Sequence, residues 1–236
     1  MAQLASFPSG GVAVVYGASG AIGRSLIEAL QVQPAFRRVI GFARASDPPI
    51  DLLDEASLAR AAEIAADAGE IRLAVDATGF LHDAAQMPEK TWRELDPAHL
   101  ARSFALNATG PALIMKHLLS RLPPTGKAVF ATLSARVGSI GDNQLGGWYG
   151  YRASKAALNQ FVRTAAVELR RRRPEAICVA LHPGTVDSGL SAPFAKNGLD
   201  VQSPAVAAER LLAVIDGLAT TNSGGFFDHR GQSIPW

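Results

Sequence analysis

The chain has 236 residues, 48% apolar and 19% charged, a balance that suits a protein burying a core and excludes a disordered one. A formal net charge of +2 is too small to argue for a nucleic-acid partner, and one cysteine excludes a disulfide within the chain. No apolar run approaches the roughly 20 residues of a membrane helix, and no basic stretch leads into a long apolar one at the N-terminus, so the expected location is the cytoplasm.

Val12 to Tyr16 is a short apolar run bounded by glycines and reads as a buried strand. A helix is expected from Ala21 to Val32, with Ile22, Leu26, Ile27 and Leu30 along one stripe. Val39 to Ala43 reads as a second strand, Ile50 to Leu52 as a short third, Glu55 to Ala68 as a helix and Ile71 to Ala77 as a fourth strand. A helical region begins over Trp92 to Leu100. Phe104, Ala108, Ala112, Met115, Leu119 and Leu122 continue it at helical spacing, and Gly110-Pro111 is expected to kink it.

Lys127 to Leu133 is the fifth strand. Tyr151 to Arg173 is a long helix with Leu158, Phe161, Val162, Ala165 and Leu169 on its packing face. Ala176 to Leu181 is a sixth strand, with Cys178 buried inside it. Ser203 as N-cap and Pro204 at the first position begin a helix that runs to Leu218, and Gly225 to Asp228 is a last short strand. The basic run Arg170 to Arg173 falls at a helix end, where cations complement the helix dipole, and reads as a solvated surface.

Strands alternate with helices, and several strands are continuous apolar runs. That pattern predicts an α/β fold: a doubly wound, mostly parallel sheet of about seven strands with helices on both faces. No internal repeat or second boundary is visible, so residues 1–236 are expected to form one domain. Two polar, glycine-rich stretches, 138–150 and 184–201, are expected to be substrate loops.

Gly17-Ala18-Ser19-Gly20-Ala21-Ile22-Gly23 lies where the first strand meets the first helix. Small residues there let backbone N–H groups approach a pyrophosphate, and the helix N-terminus favours its negative charge. The second strand ends in Phe42-Ala43-Arg44, a base where an acid would hold a ribose hydroxyl and repel a phosphate; Arg24 follows the last loop glycine. An arginine fork suits a 2′-phosphate, so NADP is expected over NAD. Two solvated surface arginines are the alternative.

Tyr151 and Lys155 are four residues apart in a helical pattern and stand one turn apart on one face. An ammonium there favours the phenolate and lowers the tyrosine pKa, which fits the phenol for proton exchange with a carbonyl or alcohol oxygen. Ser134, just past the fifth strand at the sheet's ligand-binding edge, is placed to steady the same oxygen. Spacing alone does not distinguish this from an ordinary helix carrying Tyr and Lys.

Together, Gly17, Gly20, Gly23, Asn107, Ser134, Tyr151 and Lys155 resemble the glycine loop and the Asn–Ser–Tyr–Lys set of the short-chain dehydrogenase/reductase family, over nearly the whole chain. The resemblance implies that Tyr151 is the general acid or base and that Ser134 orients the substrate oxygen. It implies that Lys155 holds the nicotinamide ribose and that Asn107 positions a water in a relay through Lys155. Asp51, with Leu52 beside it, is then expected at the adenine end, Ala77, Thr78 and Gly79 against the cofactor, and Pro183-Gly184-Thr185-Val186 beside the nicotinamide. The family often forms dimers or tetramers, so a homodimer or homotetramer is expected, with the helix beginning at Tyr151 as candidate interface.

Three features depart from the commoner family pattern. The middle glycine is Gly20, with Ala21 following it; Asp76 stands where an Asn usually ties the strands and needs a different donor; and Ser134 precedes Tyr151 by more than the common gap. Ser139 is nearer the usual spacing, but Ser134 directly follows its strand and is preferred. The stretch from Gly138 to Lys155 and the ending Gly231 to Trp236 resemble a carbonyl-reductase branch that includes sniffer-type and C-factor-like proteins.

The expected activity is therefore NADP-dependent hydride transfer between nicotinamide and a small-molecule carbonyl or alcohol, with no metal. Trp148, Tyr149, Leu145, Leu190, Pro193 and Phe194 are candidates for an apolar substrate wall, and Leu190 to Leu199 for a lid. An NAD-preferring alcohol dehydrogenase is one alternative. A nucleotide-binding signalling or scaffold protein without turnover is the other.

Overall fold

The computed structural model describes residues 3–84, 86–194 and 201–236. Six strands form the main sheet: β1 (Gly11–Tyr16), β2 (Phe36–Phe42), β3 (Ile71–Asp76), β4 (Ala128–Leu133), β5 (Ala176–His182) and, at the far edge, Phe226–Asp228. Two short strands, β6 (Thr185–Val186) and β7 (Val201–Gln202), pair in a separate sheet, so the edge strand is β8 in chain order. Every pairing between these strands is parallel, and the order is β2-β1-β3-β4-β5-β8.

The main sheet has one strand fewer than expected because 50–52 is not a strand. Pro48 and Pro49 supply no N–H, the Ile50 amide bonds the Ala43 carbonyl, and the Asp51 amide is taken by the Ser57 hydroxyl. Local bonds leave this segment nothing to pair with.

Helices α1 (Ala21–Gln31) and α6 (Pro204–Gly217) cover one face of the sheet. Helices α2 (Glu55–Asp67), α4 (Gly110–Leu118) and α5 (Tyr149–Arg172) cover the other, with α3 (Pro97–Phe104) preceding α4. The alternation of side chains along β1 divides the two cores. Val12, Val14 and Tyr16 pack with Leu58, Ile114, Leu118, Leu158 and Val162; Ala13 and Val15 pack with Leu26, Leu30, Leu211 and Leu212. Burial on both sides is why β1 reads as an unbroken apolar run and why β3 and β4 are mostly apolar. Cys178 sits fully buried in β5, and burial pushes its thiol up to about 12. Phe161, expected on the packed face of α5, is instead 43% exposed. No helix among the described residues is long and apolar enough to cross a membrane.

The long helical region after Trp92 is broken where the sequence suggested a kink. A single 3-10 turn at Trp92–Glu94 precedes α3, which Asp96 caps through the His99 amide, and a π-helical turn, Ala105–Thr109, joins α3 to α4. Pro111 has no N–H for the Asn107 carbonyl, and the Gly110 amide reaches back five residues to Ala105. The widened turn places the fully buried Asn107 toward the sheet edge.

The chain starts in mid-sheet, winds outward to β2, and returns past β1 to β3. The reversal between β1 and β3 opens a crevice at the carboxyl ends of the strands, where doubly wound sheets bind ligands. Asp76, at the tip of β3, bridges to β4: its Oδ2 accepts from the Thr132 hydroxyl at 2.6 Å, and its Oδ1 accepts from the Thr78 hydroxyl and amide. Thr132 and Thr78 are thus the donors that an acid at position 76 requires. Burial still raises the Asp76 carboxyl above the usual carboxylate range. Thr132→Val keeps the shape and removes one of these donors, so it should destabilise the fold by about 1–3 kcal/mol, measured by urea unfolding.

Candidate active site

The glycine loop fits tightly against its surroundings. Gly17 has φ +79°, and a Cβ there would lie 2.9 Å from the Ala77 carbonyl carbon and oxygen. A Cβ on Gly23 would lie 2.2 Å from the Gly17 carbonyl oxygen, so only glycine lets α1 start this close to the loop. Gly20 is the N-cap of α1 and offers no side chain, and no acid occupies the first helical turn. The amides there are left for an external anion. The Gly17 and Ala18 amides bond the Phe42 carbonyl, which ties the loop to the end of β2, two residues before the exposed Arg44. Ser19 and Arg24 are also exposed, and the Arg24 guanidinium reaches the Ser19 carbonyl at 3.4 Å.

Residues 77–79 run beside this loop. A Cβ on Gly79 would lie 3.9 Å from both Asn107 Oδ1 and Lys155 Nζ, which places all three residues together. The Asn107 amide is heavily engaged: it accepts from the Phe80 N–H at 2.8 Å and donates to the Phe80 carbonyl at 2.7 Å and to Ser154 Oγ at 3.2 Å. It pins the segment after β3 to α5. Asp51 Oδ1 accepts from the Leu53 amide, Leu52 packs against Gly110 of α4, and the Ile50 amide before them bonds the Ala43 carbonyl just past β2.

Lys155 is 2% exposed and donates to the Leu133 carbonyl at 2.8 Å; burial pulls its pKa down to about 8, with Asp76 acting in the opposite direction. Its Nζ is 5.9 Å from the centre of the Tyr151 ring. Burial raises the Tyr151 phenol above its ordinary value. This reverses the direction expected from the spacing, because desolvation of the phenolate is the cause acting on Tyr151.

Ser134 Oγ donates to Asn159 Oδ1 at 2.7 Å, and Asn159 in turn donates to the Gly138 carbonyl. Gly138 is packed so closely on α5 that a Cβ would lie 2.8 Å from the Lys155 Cβ. The longer interval between Ser134 and Tyr151 is taken up beyond that contact. Asn159, Ser154 and Thr132 have no motif in the sequence; Asn159 falls one turn after Lys155 and Ser154 directly before it, which is the only local signal.

A cleft of about 360 Å³ opens at this sheet edge. Ser134, Tyr151, Ile22 and the run Pro183 to Val186 line it, whereas Ser139 does not. Gly184 has φ +79° and no room for a Cβ beside Gln202 Nε2, and Gln202 donates to the Pro183 carbonyl. Of the expected apolar wall, Leu145, Trp148, Leu190 and Phe194 are present, while Tyr149 lines a separate depression with Ile140 and Asn143. Pro193 is exposed and outside the cleft lining. Trp148 sits edge-on to both Tyr151 and Phe194. The polar part of the wall includes His182, whose pKa burial lowers to about 4, and Arg136, paired with Asp142 and Asp228. Residues 195–199 of the expected lid lie outside the described residues. Among the described residues no group of three or more His, Cys, Asp or Glu side chains is placed to hold a metal ion.

The family model described as Enoyl-(Acyl carrier protein) reductase matches residues 29–212. The C-signal protein of Myxococcus xanthus is 40% identical over 145 residues, covering 61% of this chain and 82% of that one. A 1-hydroxy-2-glutathionyl-2-methyl-3-butene dehydrogenase of Rhodococcus sp. (strain AD45) is 30% identical over 190 residues, 80% of each protein. Among solved structures, an NADPH-bound carbonyl reductase from chicken fatty liver superposes with a TM-score of 0.83 at 22% identity, over 97% of this chain and 95% of that one. The carbonyl reductase Sniffer of D. melanogaster gives 0.82 at 20% identity, over 96% and 100%, so both share the fold. The chain belongs to the short-chain dehydrogenase/reductase family of NAD(P)-dependent oxidoreductases.

Proposed function

We propose that this protein is an NADP-dependent reductase of small-molecule carbonyls, with Tyr151 as proton donor. The observation that carries this reading is the cleft wall itself, where Tyr151 and Ser134 stand together with Lys155 Nζ 5.9 Å from the Tyr151 ring centre. A phenol is protonated at neutral pH, so it can give its proton to an oxygen that gains negative charge.

The glycine cradle, the open N-terminus of α1 and the segment 77–79 fit a dinucleotide, with Gly17, Ser19, Gly20, Ala21, Ile22 and Gly23 on its phosphates. Arg24 and Arg44 would take a 2′-phosphate, and Pro183 to Val186 would flank the reactive ring. When bound, the nicotinamide supplies the hydride. Tyr151 delivers a proton to the substrate oxygen. The Ser134 hydroxyl swings its proton from Asn159 Oδ1 to the same oxygen, since a hydroxyl rotor is free to re-aim. Lys155 contributes positive charge beneath both groups, and Asn107 keeps residues 79–80 clamped to α5. The NADPH-bound carbonyl reductase of the same fold supports the cofactor assignment. Exposed Phe161 and Val167 on α5, beside a groove lined by Met115 and Leu119, support self-association through α4 and α5.

Tyr151→Phe should lose about 10²-fold or more in carbonyl turnover while NADPH titration by fluorescence stays near the parent value. Full reductase turnover in that variant would remove Tyr151 as proton donor. Arg44→Ala should weaken NADPH binding about tenfold and leave NADH binding unchanged. Equal affinity of the parent for both cofactors would contradict the NADP preference. Lys155 holds its charge below about pH 8 and loses it above, so kcat for reduction should fall as pH rises through that value. The pH–rate profile of Lys155→Arg, whose guanidinium stays charged, should lack that limb.

A further inference from the structure

Helix α5 carries Tyr151 in its first turn yet supplies no cap of its own. Its N-cap position is Trp148, in the left-handed region at φ 54° and ψ 43°, with no side-chain cap bond. Gly146 and Gly147 before it also have positive φ, which glycine adopts freely and tryptophan does not. Something outside the helix must hold Trp148 in place.

That group is Glu89, 61 residues upstream of Gly150 in the loop between β3 and α3. Its backbone carbonyl accepts from the Trp148 N–H at 2.5 Å, and its Oε2 accepts from the Gly150 N–H at 3.1 Å. The second bond is the one an N-cap side chain makes within its own helix. Glu89 is 2% exposed. Its other oxygen, Oε1, has no hydrogen-bond partner and lies 3.6 Å from His99 Nδ1. A Cβ on Gly150 would lie 2.9 Å from that oxygen, so glycine at 150 makes room for the carboxylate. A buried, half-satisfied carboxylate is costly for stability alone. Here it caps the first turn of α5 while the Glu89 backbone carbonyl holds the left-handed Trp148, whose ring packs 6.2 Å from Tyr151 and 4.8 Å from Phe194, centre to centre, on the cleft wall.

We propose that Glu89 is a positioning residue for the carbonyl site: it caps α5 from across the fold and thereby sets Trp148 against Tyr151. The catalytic half of this inference rests on the reading of Tyr151 given above; the capping half does not.

The test uses the full-length protein and two measurements, steady-state kinetics with a panel of apolar ketones and amide hydrogen exchange over 147–151. Glu89→Ala should raise KM for the carbonyl and lower kcat, about tenfold or more in kcat/KM, because the apolar wall loses its place. KM for NADPH should stay within about twofold, since the glycine loop is untouched. Glu89→Gln keeps an acceptor oxygen and should restore most of the loss. Exchange at the Gly150 amide, whose acceptor is the Glu89 side chain, should speed up in Glu89→Ala, with β1 and β4 unchanged. If Glu89→Ala does not fold, Gly150→Ala, which crowds Oε1, should give the same kinetic and exchange pattern. Parent-like exchange at Gly150, or an unchanged carbonyl KM, would overturn the proposal. A parent protein that reduces no ketone would overturn the reductase reading, and the exchange measurement would still decide the cap.

Discussion

Two hydrogen bonds join the halves of the site: the Lys155 ammonium on the Leu133 carbonyl and, beside it, the Ser134 hydroxyl on Asn159 Oδ1. Leu133 ends β4, and the next residue is Ser134, whose amide is tied to the Leu181 carbonyl of β5. Lys155 lies one turn along α5 from Tyr151. These contacts set helix against sheet edge so that phenol and hydroxyl share one cleft. The ammonium carries this load while buried, and for that reason its charge is held less firmly than on an exposed lysine. The carboxylate of Asp76, at the end of the neighbouring strand, partly offsets that cost and is itself sustained by Thr132 and Thr78.

Around these contacts the backbone approaches itself more closely than side chains allow. Gly17 against Ala77, Gly23 against Gly17 and Gly138 against Lys155 are three places where a methyl group would collide with backbone or with the Lys155 Cβ. They lie at the crevice made by the reversal of strand order between β1 and β3. The topology supplies the opening, and the missing Cβ atoms let the lining close around something flat and charged.

Much of this was legible in the residues themselves. Strands buried on both faces announce themselves as apolar runs, and the Tyr151–Lys155 spacing puts both side chains on one helical face whatever the tertiary structure. Ser134 was identifiable because it follows β4 directly, and Ser139 indeed lies outside the cleft lining. Ile50 to Leu52 read wrongly because three residues carry no periodicity, and prolines before them divert the amides into local bonds. Phe161 looked like core because its hydrophobicity fits the stripe, but α5 turns it outward. The direction of the Tyr151 shift depends on how deeply the whole chain buries it, a quantity no spacing encodes. Glu89 and Asn159 act across long separations or through side-chain amides, and nothing local marks them.

The lone sulfhydryl has a practical corollary. Cys178 is sealed in the middle of β5 with its proton held tightly, and the cleft that holds Tyr151 contains no sulfur. Thiol reagents that silence cysteine-dependent enzymes find no accessible sulfhydryl in the folded molecule. A cysteine placed by design on the outer surface would be the only one able to react, so a dye or spin label attached there would report from a single known position.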